Sequence, residues 1–235
     1  MKKASRPETR RHRVEIPTGD GSIVGALTVP NFADGLVVFA GGVAEGAYGA
    51  LQRQIAGRFE QAGLGTMYLD LLSRREHRDG RLGQRVAENR PVLSDRLVRA
   101  THWAQACLRG CADLAVGYFA CGRLGGAALQ AAREFPGGVR AVALFAGRRD
   151  RMLQAPKAPQ TATLLLGPQM RKPGDARTGR CPPSLEDACE VETVPGPEDL
   201  ETLEAWRRHV AQRLLGWYPR HFWRPNPAGD GRQAS

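Results

Sequence analysis

The stretch Leu114-Ala-Val-Gly-Tyr-Phe-Ala-Cys-Gly-Arg-Leu-Gly-Gly-Ala-Ala-Leu129 decides the fold. Its first half is a short continuous apolar run, the pattern of a strand buried on both faces of a sheet. Gly122 then marks a corner, and the small residues from Gly125 to Ala128 open a helix that can pack closely. A strand that turns sharply into a helix is the unit from which helix-covered parallel sheets are built. Cys121, Gly122, Arg123 and Leu124 stand at the corner, and no serine is present.

The same alternation recurs on either side. Val14 to Ile16 and Ile23 to Val29 read as two strands around an Asp20-Gly21 turn, because Asp-Gly readily takes the backbone of a hairpin. Gly35 to Ala40 is another buried strand and opens into Gly41-Gly42. Leu51, Ile55, Phe59 and Ala62 recur at helical spacing, Gly63 closes that helix, and Thr66 to Leu69 follows as a strand. Residues 73 to 91 read as a charged, irregular surface excursion, after which Ser94 caps a helix carrying Leu97, Ala100, Ala104 and Leu108. Val139 to Phe145, Ala162 to Leu166 and Cys189 to Val194 are further strands, and Leu203, Trp206, Val210, Leu214 and Trp217 mark a last amphipathic helix. The fold class is therefore α/β: a mainly parallel sheet with helices on both faces and an N-terminal β-hairpin.

At 235 residues the chain fits one domain, placed at 14–220 between a basic arm (1–13) and a polar tail (221–235). The formal net charge is +10, and Lys2, Lys3, Arg6, Arg10, Arg11 and Arg13 against Glu8 put half of it in the arm. A solvated tail is the plain reading of such an arm, and a nucleic-acid contact the alternative. No stretch has the apolar length of a membrane-spanning helix, and the N-terminus lacks the apolar core of a secretion signal. Five cysteines without a C-x-x-C pair fit a reducing cytoplasm better than a disulfide framework. Cys107 and Cys111, four apart, have no further ligand nearby, so no metal and no cofactor is expected. The glycine-rich corner lacks G-x-G-x-x-G and the acidic residue of a dinucleotide site. Arg148 to Arg151 reads as a solvated charged run, and Trp103, Trp206 and Trp217 as inward-facing helix residues.

In order and spacing, several segments resemble the dienelactone hydrolase-like branch of the α/β-hydrolases. They are Val29-Pro30, Gly35 to Gly41, Ala62-Gly63-Leu64 through Leu72, Gly117-Tyr-Phe119, Val139 to Val142, Thr163 to Leu166 and Val194-Pro-Gly196. The resemblance implies a G-x-S-x-G elbow after the Gly117-Tyr-Phe119 strand. Aligned without a gap, the nucleophile position falls on Gly122; aligned on Leu124 to Ala127, it falls on Arg123. The family acid would stand near Met170, where the only carboxylate in the loop is Asp175, and the family histidine corresponds to Asp199. All three triad roles thus read as vacant, and no catalytic residue is intact.

Glycine at a hydrolase elbow removes the strain of roughly 1–3 kcal/mol that a side chain there would carry, so the turn can outlive its chemistry. Two readings of the emptied site stand side by side. In one, the amides of Gly122, Arg123 and Leu124, with those of Gly42 and Val43 and the Arg123 charge, hold a small anionic ligand. In the other, Arg123 pairs with Asp199. Either makes the protein a binding or interaction protein, with a small anion or a protein as its partner. The enzymatic alternative is an ester or lactone hydrolase using the displaced nucleophile Cys121; a buried thiol on such a strand is otherwise plain core.

Overall fold

The computed structural model describes residues 9–19, 21–42, 47–107, 114–145, 161–168, 189–194 and 203–222. Eight strands form one sheet: β1 (Thr9–Thr18), β2 (Gly21–Pro30), β3 (Leu36–Gly41), β4 (Gly65–Asp70), β5 (Val116–Cys121), β6 (Ala141–Phe145), β7 (Ala162–Pro168) and β8 (Cys189–Val194). Their order is β1-β2-β4-β3-β5-β6-β7-β8. β1 and β2 are an antiparallel hairpin, β2 joins β4 antiparallel, and β3 to β8 run parallel. The mainly parallel sheet with an N-terminal hairpin is therefore present as the apolar runs require.

Alternation along the central strands divides two cores. Leu36, Val38 and Ala40 of β3, and Val116, Tyr118 and Ala120 of β5, face one cluster. Helices α4 (Arg90–Cys107) and α5 (Leu124–Glu134) close it with Leu97, Ala100, Ala104, Ala128 and Leu129. Val37, Phe39, Phe119 and Cys121 face the opposite cluster, closed by α1 (Ala47–Gln61) and α6 (Leu203–Phe222) through Ile55, Phe59, Trp206, Leu214 and Tyr218. A period of two in the strands and of 3.6 in the helices thus buries both faces.

Four sequence boundaries are corrected. Residues 9–13, expected in the arm, belong to β1, which pairs with β2 as far as Thr9↔Pro30. Pairing of an edge strand uses the backbone, so the exposed Arg11, His12 and Arg13 do not prevent it and keep the edge charged. At the other end His221 and Phe222, expected in the tail, are buried on α6. The excursion at 73–91 is largely helical, as α2 (Arg74–Arg78), α3 (Gly80–Glu88) and the start of α4. Ser94 is no cap, because α4 begins at Arg90; its buried hydroxyl donates instead to Glu134 at 2.6 Å. Leu108 and residues 169–188 lie outside the described residues.

Tyr218 locks α6 to β5: its hydroxyl donates to the Tyr118 carbonyl, and its ring lies against Gly117. A Cβ on Gly117 would stand 2.6 Å from the Tyr218 ring and 3.0 Å from Phe222. Gly117→Ala is expected to destabilise the fold by about 1–3 kcal/mol, the usual cost of overpacking a close contact. Urea unfolding reads the difference, and an unchanged midpoint would show that α6 shifts freely over β5.

Candidate functional site

In parallel sheets ligands gather at the carboxyl ends of the strands, where the chain leaves the sheet. Here β5 ends at Cys121 and turns through Gly122, whose φ is +59°, a left-handed value that disfavours residues with a Cβ. The Gly122 amide donates to the Phe145 carbonyl at 2.9 Å, fixing the corner to the end of β6. Arg123 follows at φ −61°, ψ −24° and caps α5 without a side-chain hydrogen bond. The Gly125 amide returns to the Gly122 carbonyl at 3.1 Å. Gly122 and Leu124 are buried, while Arg123 is exposed. The corner is therefore an elbow whose apex carries no side chain and whose next residue is a cation.

Cys121 lies one residue earlier and on the other side of the sheet. Its sulfur is in no disulfide, and the residue is 5% exposed in the cluster with Phe119, Phe145 and Trp206. Val43 and Asp199 lie outside the described residues, as do Met170 and Asp175. Of the expected residues, Gly42, Gly122, Arg123 and Leu124 share the carboxyl edge, on β3 and β5, which are neighbours.

Gly42, at φ +87°, follows β3 and is held by a close approach. A Cβ there would fall 1.8 Å from an Asp70 carboxylate oxygen. Asp70 ends β4 and does two further things: Oδ1 accepts the Leu72 amide at 3.0 Å, and Oδ2 meets His77 Nε2 at 2.8 Å. The Asp70–His77 pair was not expected from the sequence, which placed His77 in an irregular excursion. The available signal was Ser73-x-x-Glu76, the spacing of a capping box, which starts a helix and turns residue 77 back over the strand end.

The connection beneath is fixed by a buried ion pair. Both Arg96 terminal nitrogens bond Glu76, at 2.8 and 2.7 Å, and one also donates to the Leu71 carbonyl at 2.6 Å. Burial alone would raise the Glu76 pKa. The Arg96 hydrogen bonds, the Ser73 amide and the Arg96 charge outweigh it and lower the carboxyl from 4.5 to about 2. Helix α4 thus holds the end of β4 and α2 in one position. Among the described residues no group of three or more His, Cys, Asp or Glu side chains could hold a metal ion. No helix among them is long and apolar enough to cross a membrane.

The protein has the α/β-hydrolase fold. Its neighbours among solved structures are dienelactone hydrolase-like proteins. The dienelactone hydrolase of Anabaena variabilis is 29% identical with a TM-score of 0.76, over 91% of this chain and 99% of that one. A dienelactone hydrolase-like promiscuous phosphotriesterase from metagenomic libraries shares the fold, at 14% identity and a TM-score of 0.61, over 91% of this chain and 99% of its own. Two curated relatives from strains of Mycobacterium tuberculosis, each named "Putative phosphoribosyl transferase", are 30% identical over 226 residues. The match covers 96% of this chain and 50% of those relatives, so the chain spans about half their length. No family model matches.

Two outcomes follow from the geometry. Gly122→Ala is expected to lower stability by about 1–3 kcal/mol, since the apex is left-handed; a neutral substitution would show that the corner relaxes to another backbone. Because the folded Glu76 pKa lies below its unfolded value, the pair's contribution is full above about pH 4.5 and is lost as pH falls toward about 2. In urea titrations across that window Glu76→Gln is expected to flatten the acid slope and to be less stable at pH 7, with Arg96 left buried and unpaired. An acid slope equal to that of the parent would remove Glu76 as its source.

Proposed function

We propose that this protein uses the α/β-hydrolase fold to bind a small anion at the emptied elbow and does not hydrolyse esters through a triad. The observation that carries the reading is Gly122 at φ +59° on the apex where the family resemblance calls for a nucleophile. Acyl transfer needs an activatable hydroxyl or thiol and a base within reach. Glycine supplies neither, and residues 195–202, which follow β8, contain no histidine. The exposed Arg123 and the start of α5, free of a side-chain cap, support an anion there, because helix amides and a guanidinium both favour negative charge. Gly42 and Val43 would complete the amide set, and Asp199 would compete with the ligand for Arg123. The odd, unpatterned cysteines support a cytoplasmic setting.

The second reading, a hydrolase based on Cys121, meets an apolar surrounding of Phe119, Phe145 and Trp206, on the face of the sheet opposite the cluster that α5 closes. Phosphoribosyl transfer rests on the name of two relatives of which this chain spans half. A nucleic-acid role for residues 1–13 is weakened where Thr9 to Arg13 are paired in β1.

Two measurements check the proposal. Purified protein is expected to release no p-nitrophenol from acetate or butyrate esters above the buffer rate, and Gly122→Ser alone is expected to add none. Butyrate titrated into labelled protein is expected to shift the Leu124 and Gly125 amide resonances, with the shifts lost in Arg123→Gln. Ester turnover abolished by Cys121→Ala would overturn the reading in favour of the second.

A further inference from the structure

The outer end of the same sheet edge carries a second concentration of charge, separate from the elbow. β2 pairs antiparallel with β4, Val24 opposite Asp70, so the hairpin turn before Gly21 lies beside the carboxyl end of β4. Between that turn and α2 is an open cleft of about 470 Å3, with Gly21 and Ser22 on one wall and Arg74, Arg75, Arg78 and Asp79 on the other. Such a volume is of small-molecule size. Arg74 and Arg78 stand one helical turn apart, and Arg75 is three residues from Arg78, so all three reach one patch.

We propose that this cleft binds a small polyanion carrying at least two phosphate groups, of the nucleoside or sugar diphosphate class. The three arginines are exposed, and among the described residues no carboxylate forms an ion pair with any of them. Asp79, the acid in the cleft wall, is engaged by α3: its Oδ1 accepts the Arg81 and Leu82 amides, each at 3.1 Å. Three like charges gathered in one concavity repel one another, and an anion that bridges them relieves that repulsion. Guanidinium groups match phosphate oxygens as planar forks, one fork to a pair of oxygens, so three forks exceed what one phosphate group uses well.

The platform is rigid where it needs to be. Ser73 and Glu76 form a capping box at the start of α2, and Glu76 is buried against Arg96, so the turn that presents the three arginines is anchored to α4. The ligand is small because the positive patch is bounded. Asp79 lines it and Glu15 accepts from the lining Ser22, so these two acids interrupt any basic track that a long nucleic acid would follow.

Isothermal titration of the full chain with pyrophosphate, with orthophosphate and with a 20-nucleotide single-stranded RNA tests the assignment. Pyrophosphate is expected to bind saturably and more tightly than orthophosphate, and to weaken as salt is raised. Arg75→Gln and Arg78→Gln are each expected to weaken it about tenfold, the loss of one charge-assisted contact. The triple variant with Arg74→Gln is expected to abolish binding while circular dichroism stays as in the parent. Replacing all three by lysine is expected to erase the preference for pyrophosphate over orthophosphate. Arg123→Gln is expected to leave pyrophosphate binding unchanged, which separates this cleft from the elbow. Non-saturable pyrophosphate binding, a folded triple variant that binds as the parent does, or RNA binding tighter than pyrophosphate would each overturn the proposal.

Discussion

The end of β5 is the constraint around which the molecule is arranged. A strand in the middle of the sheet must leave it and return as a helix against the face holding Leu97, Ala100 and Ala104. Within a single residue the backbone has to reverse, and it does so at Gly122 through a left-handed φ. The Gly122 amide then bonds the end of β6, so the corner is tied to the neighbouring strand as well as to its own helix. Once α5 is placed, its alanines and glycines let it settle close to the sheet beside α4, and one of the two cores closes.

That constraint can be met without a side chain at the apex. In a hydrolase the strained corner presents a nucleophile, and strain and chemistry share one residue. In this chain glycine meets the backbone requirement and contributes no reacting atom. Among the described residues, the end of β4 next to Gly42 is polar. Asp70 crowds Gly42 and holds His77, while Arg96 and Glu76 clamp the chain just beyond β4. Among the described residues, Arg74, Arg75 and Arg78 on α2 and Arg123 at the elbow are exposed.

Most of the sheet was legible because buried parallel strands are written as apolar runs, and Leu36 to Ala40, Val116 to Cys121 and Ala141 to Phe145 are such runs. The elbow was legible because few residues besides glycine sit comfortably at its apex. The helices α2 and α3 were missed because a charged stretch hides their start signals. Ser73 with Glu76 and Asp79 with Leu82 act through side-chain caps, not through apolar periodicity. The Asp70–His77 pair was missed for a different reason: seven residues apart, the two meet only because a capped turn folds α2 back over β4. Residues 9–13 were assigned to an arm because edge strands pair through backbone groups and need no apolar pattern. Arg123 is the N-cap of α5, while Asp199, its candidate partner, lies outside the described residues.

The central claim is that this elbow is a backbone device with no nucleophile. Its most direct test is intact-protein mass spectrometry on samples quenched during incubation with an activated short-chain acyl ester, followed by peptide mapping of residues 114–129. The account predicts no stoichiometric acyl adduct on that segment at any time point. A stoichiometric adduct on Cys121 that forms and then decays would contradict it, because it would show a working nucleophile at the turn.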